Sequence, residues 1–342
     1  MGSCIAILFD AATGNGSKKK ELTMLEKIDL TKKIAKPEYK TIITGLELKL
    51  AELQREAKDL KIPVIVVFEG WDAAGKGTMI NRLILSIDPR GFTVYPTNPP
   101  NEEERLRPFL WRFWSNTPEK GRITIFDRSW YGRVLVERVD KIVKKKDWMV
   151  AYDEIKSFER QLVDEGAVII KFFLHIDKNE QKKRFKKLQN NSSTAWKVTK
   201  DDWKHHKQYR EYFDAVEDML AKTDTEYAPW TIVEAHDRHF ASVKIFKTII
   251  DAVERKKFEL QHAEENHAAF VKSSIDVKNI SSSVLDKVDL SVSLTREEYS
   301  AALKKYQQRI RELEHEVYIR RLPIIMVYEG WDAAGKGGNI KR

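Results

Sequence analysis

The stretch Val64-Ile-Val-Val-Phe-Glu-Gly-Trp-Asp-Ala-Ala-Gly-Lys-Gly-Thr78 decides the fold of this chain. Its first five residues form an unbroken apolar, mostly β-branched run, which a buried parallel strand needs. The glycine-bearing turn that follows opens a predicted helix from Lys76 to Ile87. Backbone N–H groups at such a turn close around phosphate oxygens. The stretch therefore predicts a strand, a phosphate-binding loop and a helix, in that order.

The loop departs from the general Walker pattern at one position, because Gly77 stands where a hydroxyl residue is usual and Thr78 comes one residue later. This arrangement resembles nucleoside monophosphate kinases more than GTPases. We expect Lys76 to reach the terminal phosphates. The phosphate-binding backbone is predicted to include Gly70, Ala73, Ala74, Gly75, Gly77 and Thr78.

Asp72 is an unusual residue for an anion-binding loop. A carboxylate among phosphates is repelled unless a divalent cation bridges them, so we interpret Asp72 as a ligand of Mg²⁺. The alternative is a cap for the helix that begins just beyond it.

A second motif follows another predicted strand, Ile123 to Phe126, and reads Asp127-Arg-Ser-Trp-Tyr-Gly-Arg133. An apolar strand that ends in Asp is typical of a Walker B element, which places a carboxylate beside the phosphate loop. Arg128 and Arg133 are then candidates to clamp the phosphates during transfer.

The net charge of +9 is concentrated in one segment. Residues 171–210 hold twelve Lys or Arg against four acids, a local balance of +8. This indicates either a solvated basic helix pair or a field that attracts a polyanion. Lys183 and Lys187 share one face of a predicted helix, with Arg184 beside them. In P-loop kinases the corresponding segment commonly closes over the phosphates as a lid.

Two neighbours of these cations have predicted structural roles. Asp177 is placed to cap the basic helix. Trp196 and Trp203 are interleaved with further lysines, and we interpret both as packing anchors rather than base-stacking platforms.

Further short apolar runs alternate with helical patterns along residues 38–260. This alternation predicts a parallel sheet covered on both faces, and with the loop it gives a three-layer α/β/α P-loop kinase fold with a helical lid. The other predicted strands are Phe92 to Tyr95, Lys171 to Ile176 and Thr231 to Val233. The predicted helices between them include Glu102 to Trp114, Trp148 to Glu165 and Asn179 to Leu188.

An internal repeat defines the domain organisation. Residues 63–82 recur at 323–342 with a constant offset of 260, and fourteen of those twenty positions are identical. We predict a polar leader at 1–37, a complete P-loop domain at 38–260, a linker at 261–297 and the start of a second, truncated copy at 298–342. Self-association of the chain is left open, since an exposed strand of the second copy favours it.

Composition limits the class of protein. An apolar fraction of 42% is ample for a packed core, and no run approaches the ~20 apolar residues of a membrane helix. A single cysteine, Cys4, fits a reducing compartment. A cytoplasmic protein without a membrane partner is therefore expected, and the absence of a recognisable nucleic-acid module argues against a nucleic-acid partner.

Three stretches together make the chain resemble the polyphosphate kinase type 2 family. They are Glu-Gly-Trp-Asp-Ala-Ala-Gly-Lys-Gly at 69–77, the 127–133 motif, and Phe-Phe-Leu-His-Ile at 172–176. The resemblance implies that inorganic polyphosphate donates a phosphoryl group to a nucleotide, with Mg²⁺ as cofactor. Carried over by position, Asp72 and Asp127 bind the metal and Lys76 and Arg128 contact phosphates. The implied lid contacts are Lys183, Arg184 and Lys187.

Tandem members of this family look like enzymes that phosphorylate AMP, whereas single-domain members more often act on diphosphates. The repeat therefore favours AMP as acceptor and ADP as product. Three alternatives stay open from the residues alone: an ADP or GDP acceptor, an ATP-dependent nucleoside monophosphate kinase on the same fold, and a non-catalytic polyanion-binding module.

Overall fold

A five-stranded sheet forms the centre of the first of two compact units, which span residues 1–265 and 266–342. The structure, a computed structural model, describes residues 23–270 and 284–341, with the backbone alone at 263–270, 284 and 285. The strands are β1 Val64–Gly70, β2 Phe92–Pro96, β3 Ile123–Asp127, β4 Val168–His175 and β5 Trp230–Glu234. Their order is β2-β3-β1-β4-β5 and every pairing is parallel, so the predicted α/β fold is confirmed.

Ten helices begin in the described part of this unit. They are α1 Lys36–Asp59, α2 Lys76–Ile84, α3 Glu102–Arg105, α4 Trp111–Trp114, α5 Val136–Val139, α6 Lys145–Asp164, α7 Lys178–Gln189, α8 Lys200–Lys207, α9 Tyr209–Thr223 and α10 Arg238–Phe270. No helix in the described ranges is long and apolar enough to cross a membrane.

Strand β1 is buried on both faces. Residues 64–68 are each at most 1% exposed, and successive side chains of a strand point to opposite faces, so helices must cover both. On one face, Val64 and Val66 line a small apolar cavity together with Leu50 of α1, Leu83 of α2 and Val253 of α10. The unbroken apolar run in the sequence reflects this position at the centre of the sheet.

Several predicted boundaries differ from the structure, three of them as follows. The helix predicted from Glu102 to Trp114 is two short helices, α3 and α4, with Pro108 between them. Proline lacks the N–H that helix continuation requires and disfavours helical geometry in the residue before it. Strand β4 starts three residues before the predicted Lys171, and α2 ends three residues before the predicted Ile87.

Part of the predicted leader packs against the first unit. Leu25 is only 1% exposed, and the backbone N–H groups of Met24 and Leu25 donate to the carboxylate of Glu217. Lys32 donates to the buried carboxylate of Glu234 over 2.9 Å. The described residues 23–35 thus belong with the sheet and its helices, whereas residues 1–22 lie outside the described ranges.

The second unit contains α11 Arg296–Arg320 and α12 Lys336–Ile340 among its described residues. Thr295 caps α11 by accepting from Glu298 N, and the Glu298 carboxylate accepts from Thr295 N in return. The repeat of β1, residues 324–330, forms no strand, and residues 271–283 of the predicted linker lie outside the described ranges. The described part of this unit therefore carries two helices and the repeated loop but no sheet.

Candidate active site

The carboxyl ends of β1, β3 and β4 meet at one edge of the sheet, because β1 lies between the other two strands. The register pairs Phe68 with Asp127 on one side and Gly70 with Leu174 on the other. This edge is where ligands bind in open α/β sheets. The Walker B carboxylate predicted at Asp127 therefore lies beside the phosphate loop.

The phosphate loop depends on two glycines with different constraints. Gly70 has φ of +144°, and a Cβ built there would lie 2.5 Å from the carbonyl oxygen of Leu174. Gly75 has φ of +107° and is the N-cap of α2, with open space around a built Cβ. Gly70 is thus required by close strand contact and Gly75 by backbone conformation. The amino end of α2 opens at this loop, a favourable position for an anion.

Lys76 contacts its own loop in this structure. Its ammonium donates to the carbonyl oxygens of Gly70 over 2.8 Å and of Trp71 over 3.2 Å. Burial lowers the pKa of Lys76, with the nearby Arg128 charge acting in the same direction. In the second unit Lys336 makes the same two contacts, to Gly330 and Trp331. The motif therefore builds this local arrangement by itself, without the rest of the sheet.

Asp72 links the two predicted motifs. Its Oδ1 accepts from Arg128 Nη2 over 2.7 Å, and its Oδ2 lies 3.4 Å from His205 Nδ1. Burial opposes ionisation, but the bond to His205 and the charges of Lys76 and Arg128 outweigh it and hold the pKa of Asp72 below its usual range. Its side chain makes no N-cap bond to α2, so the capping alternative is wrong.

Arg128 has an unusual backbone for a residue with a side chain, since its φ is +60°. Its N–H donates to Phe68 O over 3.0 Å, and its own carbonyl accepts from Thr97 Oγ1 over 2.8 Å. Left-handed conformations of this kind cluster at functional sites, where the surroundings hold them in place.

Helix α8 supplies a site residue that we did not predict. His205 lies between Asp72 and Asp140, with its Nε2 3.0 Å from Asp140 Oδ2, and Lys204 donates to the same Asp140 over 2.8 Å. The bond to Asp72 raises the pKa of His205, against the effect of burial. These contacts hold α8, the second helix of the lid segment, over the phosphate loop. No sequence spacing indicates them, because Asp72 and His205 are 133 residues apart.

A pocket lies beneath the lid, beside Asp72 and Arg128. It is lined by Glu69, Gly70, Trp71, Asp72, Arg128, Gly132, Leu135, Val136, Phe173, Gln181, His205, Tyr212 and Val216. Glu69 accepts from Ser129 Oγ over 2.8 Å, and burial raises the pKa of this carboxyl. The pocket combines apolar walls with a few polar groups, as small-molecule sites usually do.

Arg184, predicted as a lid contact, contacts the loop itself. Its Nη1 donates to the carbonyls of Ala73 and Ala74, and its Nη2 to those of Ala235 and His236. Phosphate contact by Arg184 stays a prediction, while its observed contacts position the phosphate loop.

The other predicted cations differ in exposure. The Lys183 side chain is 79% exposed and pairs with Glu180, and Lys187 is also exposed. Both line a groove that also includes Glu180, Arg184, His236, Asp237, Arg238 and His239. Arg133 instead pairs with Glu137 over 2.9 Å and stacks on the ring of Phe109. A phosphate role for Arg133 stays a prediction.

Two predictions about the lid segment are confirmed and one is wrong. Asp177 caps α7 by accepting from Glu180 N over 2.8 Å. Trp203 packs edge-on against Phe185, as an anchor does. Trp196 is 74% exposed, so it is not a packing anchor, because its short helical turn leaves the ring outside the core.

Asp72 and Asp127 are the candidate magnesium ligands. Both carboxylates lie close enough to Lys76 to stabilise its ammonium charge. Within residues 23–270 and 284–341, no group of three or more His, Cys, Asp or Glu side chains forms a ready-made metal cage. Two carboxylates nevertheless suit Mg²⁺, which takes its remaining ligands from water and substrate phosphates.

The fold and this site define the class of protein as a P-loop kinase. The chain belongs to the polyphosphate kinase 2 family, since the family described as Polyphosphate kinase 2 (PPK2) matches residues 33–261 and 293–342. Among solved structures, Polyphosphate Kinase 2 from Arthrobacter aurescens TC1 is similar, with a TM-score of 0.65 and 29% identity, covering 67% of this chain and 84% of that chain.

Two curated relatives differ in their named acceptors. A polyphosphate:AMP phosphotransferase of Pseudomonas aeruginosa is 45% identical over 231 residues, covering 68% of this chain and 47% of the relative. An AMP/ADP-polyphosphate phosphotransferase of Meiothermus ruber is 36% identical over 191 residues, covering 56% of this chain and 72% of the relative. The chain spans about half the length of the first curated relatives it matches, 44–47%.

Proposed function

We propose that this chain transfers a phosphoryl group from inorganic polyphosphate to a nucleotide, with AMP as the acceptor and ADP as the product. The observation that carries the proposal is the meeting of Lys76, Asp72, Asp127 and Arg128 at one edge of the parallel sheet. The names of the relatives, all polyphosphate phosphotransferases, support the donor.

The transferred phosphate would lie in the loop between Gly70 and Thr78. Lys76 gives up two carbonyl contacts of moderate strength when a phosphate arrives, and a charge-assisted bond to phosphate is stronger than these. Arg128 is 46% exposed, so part of its guanidinium remains accessible from solvent while it holds Asp72. Both cations then face the charge that develops on the transferred group.

The donor chain would follow the groove that Lys183, Lys187 and Arg238 line together with the carboxylates Glu180 and Asp237. A polyphosphate carries about one negative charge per phosphate, so a row of exposed cations attracts it without needing fixed geometry. Arg184 connects this groove to the loop, since its guanidinium contacts the Ala73 and Ala74 carbonyls. An ATP-dependent kinase has no need of such a groove beyond its triphosphate.

The acceptor nucleotide would occupy the pocket beside Asp72 and Arg128. Its walls include Leu135, Val136 and Phe173, which offer apolar contact to a base or sugar. A phosphate oxygen of the acceptor then attacks the terminal phosphorus of polyphosphate, and the bond from that phosphorus to the next bridging oxygen breaks. The acceptor phosphate is already ionised at neutral pH, so positioning and charge neutralisation supply most of the catalysis.

Asp72 and Asp127 would hold Mg²⁺, which neutralises phosphate charge when bound. Asp72 is kept ionised by the charges around it, as a metal ligand must be. The cytoplasm remains the proposed location, and no nucleic-acid partner is proposed.

The test is nucleotide production by the purified chain with Mg²⁺ and long-chain polyphosphate, with AMP or ADP and without ATP. We expect ADP from AMP, and a loss of about 10³-fold in Lys76→Ala and Asp127→Ala. Lys336→Ala is the matched control, because it removes the same loop contacts in the second unit and should leave the rate unchanged.

The outcomes separate the alternatives. ATP from ADP, with no reaction of AMP, would keep the family and overturn the acceptor. Activity with ATP as donor but not with polyphosphate would support the nucleoside monophosphate kinase. No product from a folded chain that still binds polyphosphate would favour the non-catalytic binding module.

A further inference from the structure

A buried ion pair lies next to the Asp127–Arg133 motif. Glu159 of α6 and Lys171 of β4 are each 0% exposed and 2.9 Å apart. Lys171 uses all three of its N–H donors, on Glu159, on the Tyr131 hydroxyl and on the Thr223 carbonyl. Replacing a buried pair of this kind by apolar residues often leaves stability unchanged or raises it. Stability alone therefore does not explain its presence.

The pair is bonded to two aromatic residues of the motif. Glu159 Oε1 accepts from Trp130 Nε1 over 3.0 Å and from the Tyr131 hydroxyl over 2.7 Å. Trp130 is 1% exposed and Tyr131 0%, so neither ring can change orientation without breaking these bonds. Glu159 Oε1 thus holds residues 130 and 131, while Oε2 accepts from the Lys171 ammonium, which also donates to the Tyr131 hydroxyl.

Arg128 stands two residues before this fixed point. Its left-handed backbone, with φ of +60°, needs surroundings that hold it. On one side, Arg128 N is bonded to Phe68 O, and Ser129 Oγ is bonded to Glu69. On the C-terminal side, Ser129 is followed directly by Trp130 and Tyr131, the residues that the buried pair holds.

We propose that Glu159 and Lys171 are positioning residues, which hold Arg128 towards the transferred phosphate by fixing Trp130 and Tyr131. The proposal rests on the proposed function and adds to it a coupling between the buried ion pair and the exposed guanidinium of Arg128. Because the pair acts through a residue that faces the transferred phosphate, its loss should change turnover more than the affinity for AMP.

The principal variant replaces both charges, Glu159→Leu with Lys171→Met, so that no lone charge is buried. We expect kcat to fall about tenfold or more while KM for AMP changes less than about twofold. Tyr131→Phe keeps the ring, removes only the bridging hydroxyl, and should lower kcat in the same direction by less. Circular dichroism and thermal unfolding establish that each variant is folded.

Glu234→Gln is the matched control. Glu234 is also a buried carboxylate, 2% exposed and paired with Lys32 and Lys244, but it has no contact with the Asp127–Arg133 motif among its hydrogen bonds. Its loss should lower the melting temperature and leave kcat unchanged.

A double-mutant cycle with Arg128→Ala decides the case. If the pair acts through Arg128, then the Glu159→Leu and Lys171→Met changes should cause no further loss in the Arg128→Ala background. An undiminished loss in that background, or a loss that merely follows the unfolded fraction, would overturn the proposal.

A wild-type chain without activity would refute the proposed function. The coupling would then be tested by the same double-mutant cycle, with the binding of inorganic polyphosphate measured by calorimetric titration. Arg128→Ala and the paired substitution should then weaken binding non-additively. Unchanged binding in the paired variant would overturn the proposal.

Discussion

At the scale of single residues, the site is set by contacts between side chains that are far apart in the sequence. Asp72, Arg128 and His205 come from the phosphate loop, the end of β3 and the lid helix, and they meet within 3.4 Å. Gly70 is instead determined by a backbone contact, because a side chain there would lie too close to the carbonyl oxygen of Leu174.

His175 is a second residue whose environment has a measurable consequence. It is 4% exposed, its Nδ1 accepts from Trp71 Nε1 over 2.9 Å, and burial lowers its pKa to about 4 from an ordinary value of 6.5. The neutral ring thus anchors the tryptophan next to Asp72. Protonation would break that bond.

We predict that His175 makes stability fall with acid. Below pH 6.5 the unfolded chain binds a proton at His175, whereas the folded chain does not until about pH 4. The contribution of the neutral His175 ring to the free energy of unfolding is therefore complete above pH 6.5. About 3 kcal/mol of it is lost as the pH falls to 4.

Urea unfolding of the first unit, followed by tryptophan fluorescence between pH 4 and 7.5, measures this effect. His175→Asn is the comparison, since its amide oxygen can replace the acceptor but does not titrate. The wild type should show the steeper dependence on pH. Equal slopes for the two proteins would contradict the prediction.

At the scale of elements, α7 is fastened to the sheet edge rather than free to move as a lid. Its one guanidinium, on Arg184, reaches the carbonyls of Ala73 and Ala74 in the phosphate loop and of Ala235 and His236 after β5. We expect any opening of the lid to begin after α7, so that α8, with His205, moves away from Asp72.

Arg184→Lys is predicted to lower kcat/KM by about 10- to 100-fold, because an ammonium cannot make four bonds in the planes that a guanidinium reaches. The charge is conserved, so altered electrostatic attraction cannot explain the loss. Lys183→Ala is the contrasting variant, since its exposed side chain pairs only with Glu180. It should raise KM for polyphosphate mainly at low salt. A wild-type rate in Arg184→Lys would contradict the prediction.

At the scale of the whole molecule, the two copies of the repeat share fourteen of twenty residues and have different surroundings. In the first unit, Ile65, Val66 and Val67 are at most 1% exposed, whereas their repeats Ile325, Met326 and Val327 are 75–88% exposed. Strand β1 is paired on both sides, and residues 324–330 form no strand.

Amide hydrogen exchange should therefore separate the copies. We predict that amides of residues 64–70 exchange only through global unfolding, and that those of 324–330 exchange within seconds, because they lack both hydrogen-bond partners and buried apolar contacts. Mass spectrometry of matched peptides from the two segments makes the comparison internal. Equal protection would show that a second copy of the chain, or another partner, covers the second unit.

The sequence was sufficient for the phosphate loop and the start of helix α2, because glycines and a lysine act locally, whereas the apolar run forms a strand only where neighbouring strands pair with it. The same loop contacts recur at Lys336 without a sheet around them. It was also sufficient for the parallel sheet, since continuous apolar strands must be covered on both faces. The sequence also indicates the break between Glu102 and Trp114, because Pro108 interrupts the helix there.

Only the tertiary structure decided which distant groups share the site. Neither His205 nor Asp140 belongs to a motif, and the contacts of α8 with Asp72 and with Asp140 at the end of α5 bring them together. It also gave Arg184 its contacts with the loop and left Trp196 exposed. The physical reason is the sequence distance over which each feature is determined. Backbone conformation and hydrophobic periodicity depend on neighbouring residues, whereas ion pairs and burial depend on the path of the whole chain.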